Sequence, residues 1–166
     1  MFKKLFGTKD KKTEETFFAP VTGKVLSLEE VPDPVFSQKM MGDGLAIDPS
    51  EGKVVSPVKG KIIQLFPTKH AIGIKTETGL EVLIHIGLET VSMKGEGFTA
   101  HISEGDNVDV GSPLVTFDLE LVKEKAASTI TPMVITNFDD VVDSFDTLAS
   151  GIVSSGQTEL AKVKMK

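Results

Sequence analysis

From Phe17 onward the chain consists of short apolar runs, rich in valine and isoleucine, that are separated by glycine, proline, aspartate and asparagine. Such runs are typical of strands joined by turns, as in an all-β sandwich or barrel. Two stretches, Glu120–Ala127 and Asp139–Phe145, predict short helical pieces, and neither is long enough to cover a sheet. The predicted strands are Lys24–Leu28, Gly44–Asp48, Lys53–Ser56, Lys59–Phe66, Ala71–Thr76, Glu81–Ile86, Phe98–His101, Pro113–Asp118, Pro132–Ile135, Gly151–Val153 and Glu159–Lys166.

A short internal repeat indicates how these strands are arranged. Residues 19–25 read APVTGKV and residues 56–62 read SPVKGKI, so each copy has a proline at the start of a strand and a glycine at a bend. Sheet edges and bulges accept these residues because they do not use every backbone N–H. A solenoid would need at least about three repeats. We therefore expect an antiparallel β-sandwich or barrel of two similar β motifs.

Length and charge limit the classes of function. With 166 residues, of which 40% are hydrophobic, the chain can bury one core, and we predict a single β domain over residues 17–166. A net charge of −6 argues against nucleic acid as a partner, because such binding needs a basic surface. The sequence has no cysteine, no apolar run of membrane-spanning length and no signal-peptide core. We expect a cytoplasmic monomer.

The first 16 residues differ from the rest of the chain. They are rich in lysine, and Phe2, Leu5 and Phe6 recur at helical spacing. A short amphipathic helix with this pattern would make weak contact with an anionic membrane surface. The alternative is a flexible, solvated tail, since short isolated helices are marginal and chain ends commonly fray. The sequence leaves both interpretations open for residues 1–16.

Two histidines, His70 and His85, lie on neighbouring predicted strands and are the strongest candidates for chemistry. With the turn at Glu77–Leu80, the expected register places His85 opposite Ile72, whereas a three-residue loop would put the two histidines on opposite faces. His70 has the same parity as Ile72 and shares its face, so the two imidazoles become diagonal neighbours. Two titratable groups on one face favour a functional site over a purely structural role. The third histidine, His101, is expected at a solvated strand end.

The rest of the sequence limits what two histidines can do. A catalytic zinc site uses three protein ligands, and neither Glu81 nor Glu89 has a characteristic spacing for the third. No G-x-S-x-G, P-loop or dinucleotide-binding motif is present. The remaining option is covalent phosphoryl transfer, with one imidazole as nucleophile and the other stabilising the phosphoryl oxygens. A metallohydrolase and a structural pair of histidines stay open as alternatives.

Several motifs together resemble one known family. Residues 79–91 read GLEVLIHIGLETV, and Thr68 and His70 form a T-x-H motif upstream. The chain also has APVTG at residues 19–23, VPDPVF at 31–36, GDGLAI at 42–47 and KGEGF at 94–98. In combination, these motifs resemble the glucose-class IIA component of the bacterial phosphoenolpyruvate:sugar phosphotransferase system. The fold of that family, two similar β motifs in a sandwich, agrees with the internal repeat.

The resemblance implies a phosphocarrier of sugar uptake. His85 would accept a phosphoryl group from phosphohistidine on HPr and pass it to a cysteine of the IIB domain of a glucose-type permease. His70 resembles the histidine that stabilises the transferred group, and Thr68 resembles its hydroxyl partner. The carbonyl of Gly87 would anchor the other ring nitrogen of His85. No cofactor and no resident metal are expected, and the two histidines would bind zinc only adventitiously or in a site completed by a partner.

The resemblance also implies a docking surface around the histidines. Asp33 and Glu89 fall where acidic groups meet basic residues of partner proteins. A regulatory module that docks on transporters or enzymes through this face is the alternative to a carrier, and one molecule can combine both roles. The apolar residues that fall on this surface are Val35, Phe36, Met40, Met41, Phe66, Leu83 and Val91.

Overall fold

The computed structural model describes residues 13–166, and short antiparallel strands dominate this part of the chain. They form where β-branched and apolar residues alternate with small or polar ones between turns. The strands are β1 (Glu14–Phe18), β2 (Gly23–Ser27), β3 (Asp43–Pro49), β4 (Lys53–Val55), β5 (Gly60–Leu65), β6 (Ala71–Lys75), β7 (Glu81–His85), β8 (Phe98–Ala100), β9 (Asn107–Val108), β10 (Pro113–Phe117), β11 (Thr131–Ile135), β12 (Val142–Thr147), β13 (Ile152–Val153) and β14 (Glu159–Met165).

The helices are short. They are α1 (Pro34–Ser37), α2 (Leu119–Lys125) and α3 (Phe138–Val141), with 3₁₀ helices at Leu28–Glu30 and Thr90–Met93. Within residues 13–166, no helix has the length and apolar character needed to cross a membrane.

The strands form three sheets. The large sheet has the order β13-β2-β3-β11-β7-β6-β5-β9, and the small sheets have the orders β1-β14-β12 and β4-β10-β8. Neighbouring strands pair antiparallel throughout the described residues. The main core joins Ile72 and Ile84 of the large sheet to Leu114 and Leu160 of the small sheets. This arrangement confirms the predicted all-β, antiparallel fold.

The two copies of the repeat contact each other through matching hydrogen bonds. The Phe18 N–H donates to the Pro57 carbonyl at 2.9 Å, and the Val55 N–H donates to the Pro20 carbonyl at 2.8 Å. Phe18 and Val55 directly precede the two copies, and Pro20 and Pro57 hold equivalent places within them. The strand order of the large sheet is also symmetric about its centre. The strands β13, β2, β3 and β11 of one half occupy the same positions as β9, β5, β6 and β7 of the other half. The prediction of two similar β motifs is confirmed.

Side-chain alternation gives the large sheet a second apolar layer on its outer face. In β6, Ile72 and Ile74 belong to the main core, whereas Ala71 belongs to the outer layer. The connection between β2 and β3 crosses this face and covers it with large side chains, while the sheet contributes mostly small or medium ones. The buried members of the outer layer are Leu28, Val31, Phe36, Ala46, Ala71, Leu83, Leu88 and Val134.

The predicted helix over Asp139–Phe145 is wrong in its second half. α3 ends at Val141, and β12 then pairs with β14. Val142 is buried in the main core, and Phe145 packs on Phe138 with ring centroids 6.2 Å apart. Tertiary pairing therefore overrides a weak local helix signal, because so short a helix gains little stability alone. The other predicted helical piece is confirmed as α2.

The first strand begins inside the predicted tail, at Glu14. Glu15 pairs with Val163 of β14, and Phe17 is fully buried in the main core. Backbone pairing in this region extends the β structure upstream of Phe17. The predicted membrane contact through residues 1–16 depends mainly on residues 1–12, which lie outside the described residues.

Candidate active site

The hairpin of β6 and β7 places the two histidines at one end of the large sheet. Its loop runs from Thr76 to Leu80, and the register puts Ala71 opposite His85. The predicted register, with Ile72 opposite His85, is therefore wrong by one position. Strict alternation in the observed register would put His70 on the main-core face with Ile72.

The imidazoles of His70 and His85 meet nonetheless, with ring centroids 4.9 Å apart and planes at 80°. His70 precedes β6 and follows a turn in which the Lys69 N–H donates to the Phe66 carbonyl at 2.7 Å. Lys69 has a φ of 62°, in the left-handed region that non-glycine residues rarely adopt. Because the chain turns here, regular strand alternation does not govern the direction of the His70 ring. The expected proximity is confirmed, although for a different reason.

The orientation of His85 is set by a backbone carbonyl. Its Nδ1 lies 2.8 Å from the carbonyl oxygen of Gly87. A carbonyl can only accept, so Nδ1 carries the hydrogen and Nε2 keeps a free electron pair. Gly87 has a φ of 73°, and a Cβ there would lie 2.6 Å from Cγ2 of Thr90. Glycine is therefore required for the turn that presents this carbonyl.

The orientation of His70 is set by a hydroxyl. Oγ1 of Thr68 lies 2.6 Å from Nδ1 of His70, whose side chain packs against the Phe66 ring at a centroid distance of 5.5 Å. When the hydroxyl donates to Nδ1, the ring hydrogen lies on Nε2, which becomes a donor. His70 is 3% exposed, and its carbonyl accepts from the Ile86 N–H at 2.6 Å. The ring is thus fixed at both its side chain and its backbone.

Both histidines are biased towards the neutral form. Burial, followed by repulsion from His85, lowers the pKa of His70 from 6.5 to about 4. Burial also lowers the pKa of His85, while the Gly87 carbonyl and the Asp33 carboxylate oppose that shift. At neutral pH the pair therefore offers one unprotonated Nε2 as a nucleophile and one neutral imidazole that can donate a hydrogen bond.

The predicted docking residues divide into exposed and buried ones. Phe36 and Leu83 are 4% and 7% exposed, and the Phe36 ring lies 5.1 Å from that of His85 between centroids. These two residues are therefore part of the buried packing under the histidines and are not available for contact with a partner protein. Phe66 is partly buried. The exposed apolar residues of the set are Val35, Met40, Met41 and Val91.

The two predicted acidic residues flank the site on different elements. Asp33 caps α1, since its Oδ1 accepts from the Val35 N–H at 3.0 Å, and its charge acts on His85. Glu89 is exposed and has a φ of 60°. Asp33 is thus held at the start of α1, where its charge reaches His85, and Glu89 lies on an exposed turn two residues after Gly87.

Two residues that matter to the geometry were missed in the sequence. The first is Lys69, with its left-handed backbone. The only local sign of a turn there is Pro67, because proline favours the second position of a turn. Thr90 is fully buried, and its hydroxyl donates to the Ile86 carbonyl at 2.7 Å, which braces the turn at Gly87. No local pattern identifies that contact.

The third histidine is separate from the pair. His101 is exposed, and its Nε2 lies 3.1 Å from the Thr116 hydroxyl, in agreement with the predicted solvated position. Across residues 13–166, no group of three or more histidine, cysteine, aspartate or glutamate side chains is arranged to hold a metal ion.

Comparison with known proteins identifies the family. A family model described as "phosphoenolpyruvate-dependent sugar phosphotransferase system, EIIA 1" matches residues 15–141. The chain belongs to this family. As a IIA component of the phosphotransferase system, it is a phosphocarrier and a transferase component of sugar uptake.

Individual relatives are similar over their whole length. The glucose-specific EIIA component of Bacillus cereus is 62% identical over 166 residues, which is 100% of both chains. That of Staphylococcus aureus is 49% identical over 99% of both. The solved structure of glucose permease IIA from Mycoplasma capricolum superimposes with a TM-score of 0.83 at 39% identity, covering 91% of this chain and 96% of that one. The IIA component described here therefore shares fold and extent with these proteins.

Proposed function

We propose that His85 is the residue that carries the phosphoryl group. The observation that supports this assignment most directly is the hydrogen bond from its Nδ1 to the Gly87 carbonyl, which leaves the Nε2 electron pair free. That pair attacks phosphorus on the phosphohistidine of HPr, the new N–P bond forms, and the donor histidine keeps the electrons of the bond that breaks. A cysteine thiolate of the IIB domain then takes the group, and His85 returns to the neutral form.

His70 is proposed to stabilise the transferred group. With Thr68 donating to its Nδ1, its Nε2–H donates to a phosphoryl oxygen as charge develops there. Its low pKa keeps the ring neutral, so that it contributes a directed hydrogen bond and does not trap the phosphoryl group as an ion pair. Phe36 and Phe66 pack against the two rings and limit the access of water, which protects the phosphohistidine.

The partners are proposed to be HPr and the IIB domain of a glucose permease. Support comes from relatives whose names specify glucose. The exposed apolar residues Val35, Met40, Met41 and Val91 provide a docking surface near the histidines, and Asp33 and Glu89 can meet basic residues at its rim. We place this exchange in the cytoplasm, with the IIA component acting as a monomer. Regulatory targets would dock through the same apolar surface.

Mass spectrometry tests the assignment of His85. The protein is incubated with phosphoenolpyruvate, enzyme I and HPr, and the wild type is compared with His85→Ala and with His101→Ala as the matched control. We expect an acid-labile phosphate on the peptide that contains His85 in the wild type and the control, and none in His85→Ala. Phosphate on another peptide, or none in the wild type, would overturn the proposal. A phosphorylated His85→Ala protein would do the same.

A further inference from the structure

A groove of about 570 Å³ lies on the same outer face of the large sheet, towards the edge formed by β5 and β9. Three lysines line it, namely Lys59, Lys61 and Lys75. Lys75 has the same parity as Ala71 in β6, so both side chains lie on the outer face. At about 3.3 Å per residue, the groove begins roughly 13 Å from the end of β6 that carries the histidines.

The lysines of the groove are brought together by the strand register. Lys61 lies directly opposite Lys75 in the pairing of β5 with β6. Like charges in this position repel each other and destabilise the sheet. None of the three lysines takes part in an ion pair with another described residue. Two carboxylates, Glu77 and Asp109, also border the groove, so it carries a net positive charge within an acidic protein.

The other half of the molecule shows that the fold does not require this arrangement. Lys24 is the counterpart of Lys61 in the repeat, and its partner across the strands is Asp48. Asp48 and Lys75 hold equivalent places in the two halves. The repeat glycines show this, because Gly23 packs closely against the Asp48 carbonyl and Gly60 packs closely against the Lys75 carbonyl. One half therefore sets an acidic residue opposite its lysine, whereas the other half sets a second lysine opposite it.

The groove also offers apolar contact. Ile63 lines it and is 44% exposed, so its side chain is available to a bound partner. A small inorganic anion would use only the charges, whereas a polypeptide can use both the charges and the isoleucine. The open edge position of the groove, beside the two-residue strand β9, leaves space for an extended segment.

We propose that this groove binds an aspartate- and glutamate-rich segment of a partner protein. The three lysines supply the complementary charge, and Ile63 contacts the aliphatic part of the segment. This site is separate from the histidine pair and does not depend on phosphoryl transfer. Since it lies on the same face, a partner held there is placed beside the histidine site.

The test uses ¹⁵N-labelled full-length protein and an acetylated hexaglutamate peptide as the probe, followed by amide chemical shifts. We expect saturable shifts at Gly60, Lys61 and Asn107 that weaken as the salt concentration rises from low values to about 0.15 M. Lys61→Glu and, separately, Lys59→Glu should weaken binding by about fivefold or more, since each replaces an attraction with a repulsion. Lys24→Glu is the matched control with the same change of net charge and should leave binding unchanged.

Three results would overturn the proposal. The first is an equal loss of binding in Lys24→Glu, which would indicate only a nonspecific charge effect. The second is the absence of saturable shifts in the groove of the wild type. The third is tighter binding of inorganic pyrophosphate than of the peptide when both are titrated in parallel, which would indicate a small-anion site. Thermal unfolding of each variant verifies that it is folded.

Discussion

The two halves of the sandwich share a backbone plan, and the side chains at one pair of equivalent positions differ in a way that matters for the site. In the first half Gly44 of β3 lies opposite Val134 of β11. In the second half the equivalent pair is Ala71 of β6 and His85 of β7. Val134 is fully buried in the outer apolar layer, whereas His85 is only partly buried. A repeated fold thus provides two similar locations, and only a few residues turn one of them into a reactive site.

The connections between equivalent strands also differ, and this difference opens the site. In the first half the link from β2 to β3 is long, begins at Leu28 and contains α1. In the second half the link from β5 to β6 is a short turn at Phe66–Lys69. The long link covers the outer layer and brings Phe36 against His85. The second half therefore supplies the histidines and Phe66, and the first half supplies Phe36, which packs against His85.

The largest effect is expected on phosphoryl transfer when His70 is replaced, and the matched control is a replacement of its counterpart in the first half, Asp43. We expect His70→Gln to fold and to accept phosphate from HPr, but to pass it to the IIB domain about 100-fold more slowly, because a directed donor is lost from the transition state. Asp43→Asn should leave both steps unchanged. Single-turnover transfer from each phosphorylated protein measures the onward rate. Wild-type onward transfer by His70→Gln would remove the role assigned to His70.

A second prediction concerns the glycine that anchors His85. Gly87→Ala introduces strain at positive φ and a clash with Thr90 and the Ser128 carbonyl, so we expect a loss of about 3 kcal/mol in the free energy of unfolding. Gly151 has a similar φ of 71°, and a methyl group added there would have nothing within 4 Å, which makes Gly151→Ala the matched control. The control should lose about 1–2 kcal/mol from strain alone. Urea unfolding measures both, and equal losses would contradict the clash.

We expect the stability of the protein to depend on pH mainly through His70, which lies in the second half. His70 has a folded-state pKa of about 4, below its ordinary value of 6.5. As the pH falls below about 6.5, the unfolded chain binds the proton first, so the free energy of unfolding should decrease down to pH about 4. His70→Gln should flatten much of this decrease. Urea titrations at several pH values compare the two proteins, and an identical slope for both would contradict the shift.

Phosphate acceptance should follow the protonation of His85. Its pKa is lowered by burial, and only the neutral ring has a free electron pair. Initial rates of phosphorylation should therefore stay high at neutral pH and fall as the ring protonates, below the ordinary histidine range. Stopped-flow rates with phosphorylated HPr, measured with a donor control at each pH, would detect this fall. Rates that remain flat to low pH would contradict His85 as the nucleophile.

The smallest expected effect lies at the turn before β6. Lys69, at a φ of 62°, corresponds to Gly42 in the first half, which has a φ of 127°. Lys69→Gly should keep or slightly raise stability, whereas Lys69→Val should cost about 1–2 kcal/mol and slow onward transfer through misplacement of His70. Lys69→Gln removes the charge but leaves the backbone preference, and should behave as wild type in stability. All three variants remove the lysine charge, and only Lys69→Val disfavours the positive φ. Slow transfer in Lys69→Val alone would therefore indicate a backbone effect, whereas slow transfer in all three would indicate an effect of the charge.

Sequence patterns predicted the elements of the fold well because short β-branched runs and turn residues are local signals. The repeat also predicted two motifs, since its prolines and glycines mark equivalent bends. The register of the hairpin was wrong because the loop Thr76–Leu80 could not be told from a shorter turn. The approach of His70 to His85 depends on the turn at Lys69, and the Thr90 contact depends on the tertiary fold. Neither has a strong local signature.

The pairing of β1 with β14 has a consequence for how this fold can be rebuilt. The Met165 N–H donates to the Thr13 carbonyl at 2.8 Å, so the chain passes this point twice at close range. A few glycine and serine residues could join Thr13 to Met165, and new ends could be opened at an exposed turn such as that of Gly105, where an added side chain would meet nothing within 4 Å. The domain is therefore suited to circular permutation and to insertion into a host protein as a cassette.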